Sequence, residues 1–227
     1  MTPVTHDTSV SESPWLEPPL WRDRRQAGEE LADLRGDLRA PAILLALPRG
    51  GVPVAAAMAE RLRLPLATWS VRKVADPASP EVALGAVAPG GVSVWRNGGG
   101  ARRHEAMARE HGWLAREEQE LDRRRCLFAD PPGDQLTGCL LVVVDDGIAT
   151  GMTVQAALRS LHQLQPSRLE LAVPVADREV LAVLAPLVDR ITVLAAVARL
   201  QAVGSWYEQF NQLSDAEVVA LLASHRC

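Results

Sequence analysis

Short apolar runs alternate with stretches of helical periodicity along most of this chain, and few folds accommodate that alternation. The run at 42–47, Ala-Ile-Leu-Leu-Ala-Leu, is too short for a buried helix and has no polar face, which marks a strand covered on both sides. Val54, Met58 and Leu62 follow at helical spacing, with Pro53 in the first turn. A second strand is expected over 66–71, a third over 139–144, a fourth over 169–175 and a fifth over 191–195. Between them, Val154, Leu158 and Leu161 mark one helix, and Val180, Leu181, Leu184 and Leu187 another. Ala27, Leu31, Leu34 and Leu38 place a helix before the first strand. Ser214 and Glu217 form a capping box, with Leu213 and Val218 as its staple, at the start of the last helix. The expected fold is α/β: a five-stranded parallel sheet flanked by helices, joined by right-handed crossovers. Ligands in such sheets sit at the carboxyl edge of the strands.

Three segments stand apart from this pattern. Residues 1–19, rich in Ser, Thr and Pro, are expected to form a disordered tail ahead of a domain at 20–227. Residues 74–100 carry Pro77, Pro80, Pro89 and several glycines around two apolar pieces, 82–87 and 92–95, and read as a hairpin turning at Pro89-Gly90-Gly91. Residues 101–128 read as one highly charged helix, with Met107, Leu114, Leu121 and Phe128 in a narrow seam that suits a helix laid on a surface. The Arg123-Arg124-Arg125 run has acids upstream and reads as balanced surface charge. The formal net charge of −4 implies no general attraction to nucleic acid or to an anionic membrane. Cys126, Cys139 and Cys227 lack metal-ligand spacing, as do the five histidines, and the cysteines read as reduced thiols. With no apolar stretch of membrane-spanning length and no apolar leader at 1–14, the expected location is cytoplasmic.

The chemistry concentrates in Val142-Val143-Val144-Asp145-Asp146-Gly147-Ile148-Ala149-Thr150-Gly151-Met152-Thr153. An apolar strand ends in two carboxylates, and a turn bearing glycine and threonine opens a helix. The free N–H groups of a helix N-terminus suit a phosphate, with Thr150, Gly151 and Thr153 beside them. Two aspartates would repel that phosphate, at about 4 kcal/mol for each contact near 4 Å in a surface-like dielectric. They fit if they face a diol or a divalent cation, and a phosphate beside a diol is a sugar phosphate. Aspartate and glycine are also common in such loops for turn reasons, but one aspartate would satisfy those. The segment is not a P-loop, because Gly147 and Gly151 are one residue too close and Met152 stands where the lysine belongs. Arg49-Gly50-Gly51, after the first strand, reads either as a tight turn or as a second anion loop.

VVVDDGIATGMT resembles the phosphoribosyl-pyrophosphate motif of the type I phosphoribosyltransferases. The resemblance extends over residues 21–223, through LALPRGGVPVA at 45–55, VRKVADPASPEVALGAV at 71–87 and WYEQFNQLSDAEV at 206–218. It points to a bacterial subgroup whose acceptor is generally unassigned. It implies that Asp145 and Asp146 hold the ribose hydroxyls and, through those hydroxyls or water, Mg²⁺. It implies a 5′-phosphate cradle spanning Gly147, Ile148, Ala149, Thr150, Gly151, Met152 and Thr153. A pyrophosphate loop follows at Arg49, Gly50 and Gly51, with Lys73 reaching the same group and Arg72 beside it. The catalytic set implied is Asp145, Asp146, Lys73 and Arg49.

The resemblance further implies a lid at 74–100, where Glu81 is the acid to test, although Ala75 and Ala78 stand where the subgroup pattern carries more glycine. It implies a hood and C-terminal helix over 196–227. Ala149 stands where enzymes for 6-oxopurines carry an aspartate, which disfavours a 6-oxopurine handled that way. Trp206 and Tyr207, with Phe210, read equally as a stacking surface for the acceptor or as packing for the last helix. The implied activity is transfer of a phosphoribosyl group to an unknown acceptor with release of pyrophosphate, with dimer formation expected by analogy. A non-catalytic sensor of a phosphoribosyl ligand is the alternative.

Overall fold

The computed structural model describes residues 7–10, 17–36, 38, 41–96 and 100–224. The core is the expected parallel sheet. Its strands are β2 (Ala42–Ala46), β3 (Leu66–Thr68), β7 (Leu140–Val144), β8 (Arg168–Asp177) and β9 (Arg190–Val197). They lie side by side in the order β9-β8-β7-β2-β3, all parallel. Alternation along each strand sorts side chains between two cores. Leu44, Ala46, Val142 and Val144 face one, and Leu45, Leu141, Val143 and Leu171 face the other.

Helix α1 (Arg24–Arg35) and helix α2 (Gly51–Leu62) cover the first face, joined by the last helix, α7 (Asp215–Ala223). Helix α5 (Met152–His162) and helix α6 (Arg178–Leu184) cover the second. The caps explain where helices start. Asp23 accepts the Gln26 N–H at 2.9 Å ahead of α1, and Asp177 accepts the N–H groups of Glu179 and Val180 ahead of α6. At α7 the Ser214–Glu217 capping box forms as the sequence predicts.

The strand order positions the ligand edge. The crossover from β2 through α2 leads outward to β3, whereas that from β7 through α5 leads the other way, to β8. Right-handed crossovers running in opposite directions send their helices to opposite faces, so a crevice opens between the carboxyl ends of β2 and β7.

Three expectations need correction. Part of the expected tail is ordered: β1 (Asp7–Val10) adds to the sheet edge, pairing in parallel with β9 from Asp7↔Arg190 to Val10↔Val193. Thr, Ser and Val tolerate extended backbone, and the added strand covers edge groups of β9 that would otherwise be open. Residues 1–6 and 11–16 lie outside the described residues.

The second strand is shorter than expected, ending at Thr68, and Arg72 and Lys73 open a new strand instead. That strand, β4 (Arg72–Asp76), joins β5 (Ser79–Ala88) and β6 (Val92–Trp95) in a separate antiparallel sheet, ordered β4-β5-β6. The hairpin turning at 89–91 is therefore two strands of three. One of its faces adds Ala86, Ala88 and Val94 to the core around α5, and the other places Val74 and Val87 against Leu114 and Leu121.

The charged segment is two helices rather than one, α3 (Ala101–Glu110) and α4 (Trp113–Phe128). The break falls at Gly112, whose φ of +71° is a conformation glycine adopts at little cost. Leu114, Leu121 and Phe128 of the seam are buried, so the expected laying of this segment on a surface holds for α4. Among the described residues, no helix is long and apolar enough to cross a membrane.

Candidate active site

The two distinctive loops meet in the crevice. The Leu47 N–H donates to the Val144 carbonyl at 2.8 Å, which continues the β2–β7 ladder one step beyond the strands. Residues 48–51 then turn over the end of β7, with a cis peptide between Pro48 and Arg49. The approach is close enough to demand glycine. A Cβ on Gly50 would collide with the Asp146 carboxylate, and one on Gly51 would collide with the Val144 carbonyl. Gly50, Gly51, Asp145 and Asp146 are thus one cluster, although about 95 residues separate the two loops.

The acids are half-buried, and burial pushes both carboxyls above the usual carboxylate range. Asp145 rises furthest, because the neighbouring Asp146 charge adds to the effect of burial. Its Oδ1 accepts the Asp146 N–H at 2.9 Å. For Asp146, a guanidinium opposes the rise: Arg24 Nε donates to Oδ2 at 2.8 Å. Sequence reasoning missed Arg24 altogether. It opens α1, far from the motif in sequence, inside a string of arginines with no local pattern to single it out.

After the acids, the chain stitches itself to β8. The Ile148 N–H donates to Val175 and the Ile148 carbonyl accepts from Asp177, both at 2.9 Å. Ile148 is 2% exposed and its amide is committed to the fold, so the expected phosphate cradle loses that donor. The turn that follows is open. Thr150 is exposed, Gly151 adopts φ of +72°, and α5 begins at Met152 with no side-chain cap. The first amides of that helix have no partner within it. They border a cleft of about 590 Å³ also lined by Trp95 and Arg96 from β6 and its exit, and by Asp177 and Val180. Ala149 packs its methyl against the apolar cluster of Trp21, Trp206 and Tyr207.

The basic residues divide. Arg49 lies 3.6 Å from Asp215 in the first turn of α7, and Asp215 also accepts from Arg123 at 2.9 Å. Arg72 and Lys73 are adjacent on β4 and so point to opposite faces. Arg72 sits across from Val87, on the α4 side, and its guanidinium binds Glu117 at 2.7 and 2.8 Å. Directly opposed residues share a face, so Lys73, across from Ala86, belongs to the face turned toward α5. Of the expected basic pair, Arg72 is directed away from the crevice. The side chain of Glu81, within β5, lies outside the described ones.

The C-terminal aromatics settle differently from a stacking surface. Trp206 and Tyr207 are 7% and 4% exposed, and Tyr207 lies between Trp21 and Phe210 at ring separations of 5.5 and 5.2 Å. The ring is buried among these contacts, which leaves it little surface to offer a base. The Tyr207 hydroxyl instead donates to the Asp146 carbonyl at 2.6 Å, and burial raises its pKa well above the ordinary phenol value.

Comparison with known proteins gives a consistent answer. Residues 25–183 match the model of the family described as phosphoribosyl transferase domain. Proteins from two strains of Mycobacterium tuberculosis, each named "Putative phosphoribosyl transferase", are 39% identical over 210 residues, 91% of this chain and 47% of theirs. The chain thus spans about half the length of the curated relatives it matches. A crystal structure from Thermus thermophilus, TT1426, superposes with a TM-score of 0.71 at 37% identity, covering 91% of this chain and 99% of that one. A switch-point crevice, an acidic pair beneath a glycine loop, and a match across most of the sheet place this chain in the phosphoribosyl transferase domain family.

Proposed function

We propose that this chain transfers a phosphoribosyl group from phosphoribosyl pyrophosphate to an acceptor, releasing pyrophosphate. The observation that carries the reading is the closure of the Gly50–Gly51 loop onto Asp145 and Asp146 beside the uncapped start of α5. A ligand in that crevice meets, in order, an anion loop, an acidic pair and a helix N-terminus. Pyrophosphate, ribose diol and 5′-phosphate occur in that order in the donor.

The roles divide accordingly. Asp145 and Asp146 accept hydrogen bonds from the ribose hydroxyls. The amides of 150–153 and the Thr150 hydroxyl hold the 5′-phosphate. The backbone of 49–51, with Arg49 and Lys73, holds the pyrophosphate. Catalysis is then positioning and electrostatic stabilisation, with no covalent enzyme intermediate: pyrophosphate leaves C1 as the acceptor approaches the opposite side.

Mg²⁺ fits the donor set, since the acids supply hard oxygen ligands. Among the described residues, no group of three or more His, Cys, Asp or Glu side chains is placed to hold a metal. Asp145 and Asp146 would therefore hold the ion together with oxygens of the ligand, and the ion would neutralise charge on the departing pyrophosphate.

The acceptor is of a class that does not need an acid at position 149. Ala149 borders both the cleft at the start of α5 and the apolar cluster, and its methyl offers neither a proton donor nor an acceptor there.

Calorimetric titration of phosphoribosyl pyrophosphate with Mg²⁺, paired with a pyrophosphate-release assay over a panel of bases and other nucleophiles, tests the proposal. Binding together with release for one acceptor class is the expected result. Tight binding with no release for any acceptor favours a sensor, and absence of binding removes the reading. Asp146→Asn should weaken binding strongly.

A further inference from the structure

The Asp146 carboxylate is held from outside the catalytic motif, and outside the part of the chain that the family model matches, residues 25–183. Arg24 is fixed at three points. Its Nε donates to Asp146 Oδ2 at 2.8 Å, its Nη1 donates to the Asn211 carbonyl at 3.0 Å, and its guanidinium lies 3.7 Å from the Phe210 ring centre. The two charged side chains are only 11% and 14% exposed, so water competes weakly for the contact. The backbone side of the same residue is held as well, by the Tyr207 hydroxyl on the Asp146 carbonyl at 2.6 Å. Residues 207–211 thus grip Asp146 twice, once directly and once through Arg24.

A carboxylate has two oxygens with about four lone-pair positions between them, and Arg24 takes one on Oδ2. The other lone pairs of the carboxylate, which it shares with the neighbouring Asp145 side chain, are those a ligand hydroxyl can use. A guanidinium held by a main-chain carbonyl and an aromatic face is poorly placed to swing out when that ligand arrives. We propose that Arg24 is a positioning residue for the donor's diol: with Phe210 and Asn211 it fixes the rotamer of Asp146 so that one oxygen faces the ribose. This rests on the reading of Asp145–Asp146 as the ribose site, and it assigns a specific duty to the C-terminal segment, that of sugar orientation. The rings of Trp206 and Tyr207 are buried and offer little surface for stacking a base.

The effect should follow the diol and no other part of the donor. With Mg²⁺ present, ribose 5-phosphate, 2-deoxyribose 5-phosphate and inorganic pyrophosphate are titrated into wild type, Arg24→Met and Arg24→Lys, with thermal melting of each variant. Arg24→Met should weaken ribose 5-phosphate by about 10–100-fold, as removal of a partner behind a direct ligand usually does. It should weaken the 2-deoxy sugar much less and leave pyrophosphate unchanged, and Arg24→Lys should restore part of the loss. Equal losses for all three ligands would overturn the proposal in favour of a general structural role. Tighter sugar binding in Arg24→Met would overturn it in favour of an obstructing arginine. Wild type that binds none of the three would instead remove the ribose-site reading itself. Phe210→Leu keeps an apolar side chain, removes the aromatic face under Arg24 and serves as a second variant: it should show the same ligand order at smaller amplitude, and an unchanged ribose affinity would count against the proposal.

Discussion

The loop at 48–51 and the segment at 204–211 both close on Asp146, but they are built in different ways. The first does so with backbone alone, since Gly50 and Gly51 approach where no side chain fits. The second does so with side chains, through Tyr207, Phe210 and the arginine they hold. Backbone contact fixes a position and admits almost no substitution. Side-chain contact fixes an orientation and can be loosened one group at a time. The proposed donor site therefore has a rigid floor and an adjustable wall.

The largest effect should come from breaking the floor. Gly51→Ala drives a Cβ to 2.5 Å from the Val144 carbonyl, a main-chain atom that cannot move without disturbing the sheet. Overpacking of this kind costs about 1–3 kcal/mol, or roughly 2–10 °C in melting temperature for a domain of this size. Donor affinity should fall with it, because the loop can relax only by lifting off the acids. A melting curve and a donor titration check both. A variant with wild-type stability and affinity would show that the floor is less rigid than its spacing implies.

Next comes the wall. Tyr207→Phe removes a buried hydroxyl and leaves the Asp146 carbonyl without that donor, a loss of about 1–3 kcal/mol. Stability measured by denaturant should drop by that amount while the loop at 48–51 keeps its place. If the loss is instead negligible, water reaches the carbonyl and the wall is looser than its 2.6 Å hydrogen bond implies.

How far each region was legible in the sequence follows from the same contrast. The floor and the motif could be read because their information is local. A β-strand run, two acids and a Thr-Gly turn sit within a dozen consecutive residues, and the apolar runs gave the order of elements around them. The wall is assembled from Arg24, Asp146, Tyr207, Phe210 and Asn211, residues up to 187 apart, and no spacing rule links them. Arg72 went astray for a related reason. On sequence it closes a strand at the ligand edge, but the chain starts a new strand there, and alternation turns the side chain to Glu117. The break at Gly112 was visible as a glycine within a charged helical pattern, but a lone glycine does not by itself end a helix. β1 was hidden in a composition that suits disorder, and only the open edge of β9 gives those residues a partner.

The acids allow a subtler test, in which function and stability pull apart. The Asp145 carboxyl has a folded-state pKa well above its unfolded value of 3.8, because burial and the Asp146 charge disfavour the anion. For a group raised on folding, the stability it contributes is present below the unfolded pKa and is lost as pH rises through the folded one. At neutral pH Asp145 therefore opposes folding relative to a neutral side chain of the same shape. Asp145→Asn should raise the melting temperature at pH 7 by a few degrees while weakening the donor, and its advantage should shrink as pH falls toward 4. A melting temperature that stays unchanged at pH 7 would mean that the carboxylate is already well solvated.

The smallest effect should appear where the floor meets the outer charge network. Arg49 shares Asp215 with Arg123, and Arg123 in turn pairs with Glu120 at 2.7 Å. Hydrogen bonds from Arg123 and then Arg124 lower the Glu120 pKa to about 2. For an acid lowered on folding, the sign reverses: its contribution is present above the unfolded value of 4.5 and fades as pH falls toward 2. Arg123 is half-exposed, so the pair adds little to stability, and salt should reduce it further. Arg123→Ala should cost that little at neutral pH and nothing near pH 2. It also leaves Asp215 to Arg49 alone, which should draw Arg49 toward α7 and away from a bound pyrophosphate. A modest rise in the dissociation constant for pyrophosphate, with ribose 5-phosphate unaffected, is the expected result. That is the mirror image of the pattern expected for Arg24→Met. If Arg123→Ala weakens both ligands alike, the anion end and the sugar end of the crevice are not separately supported, and the division into floor and wall fails.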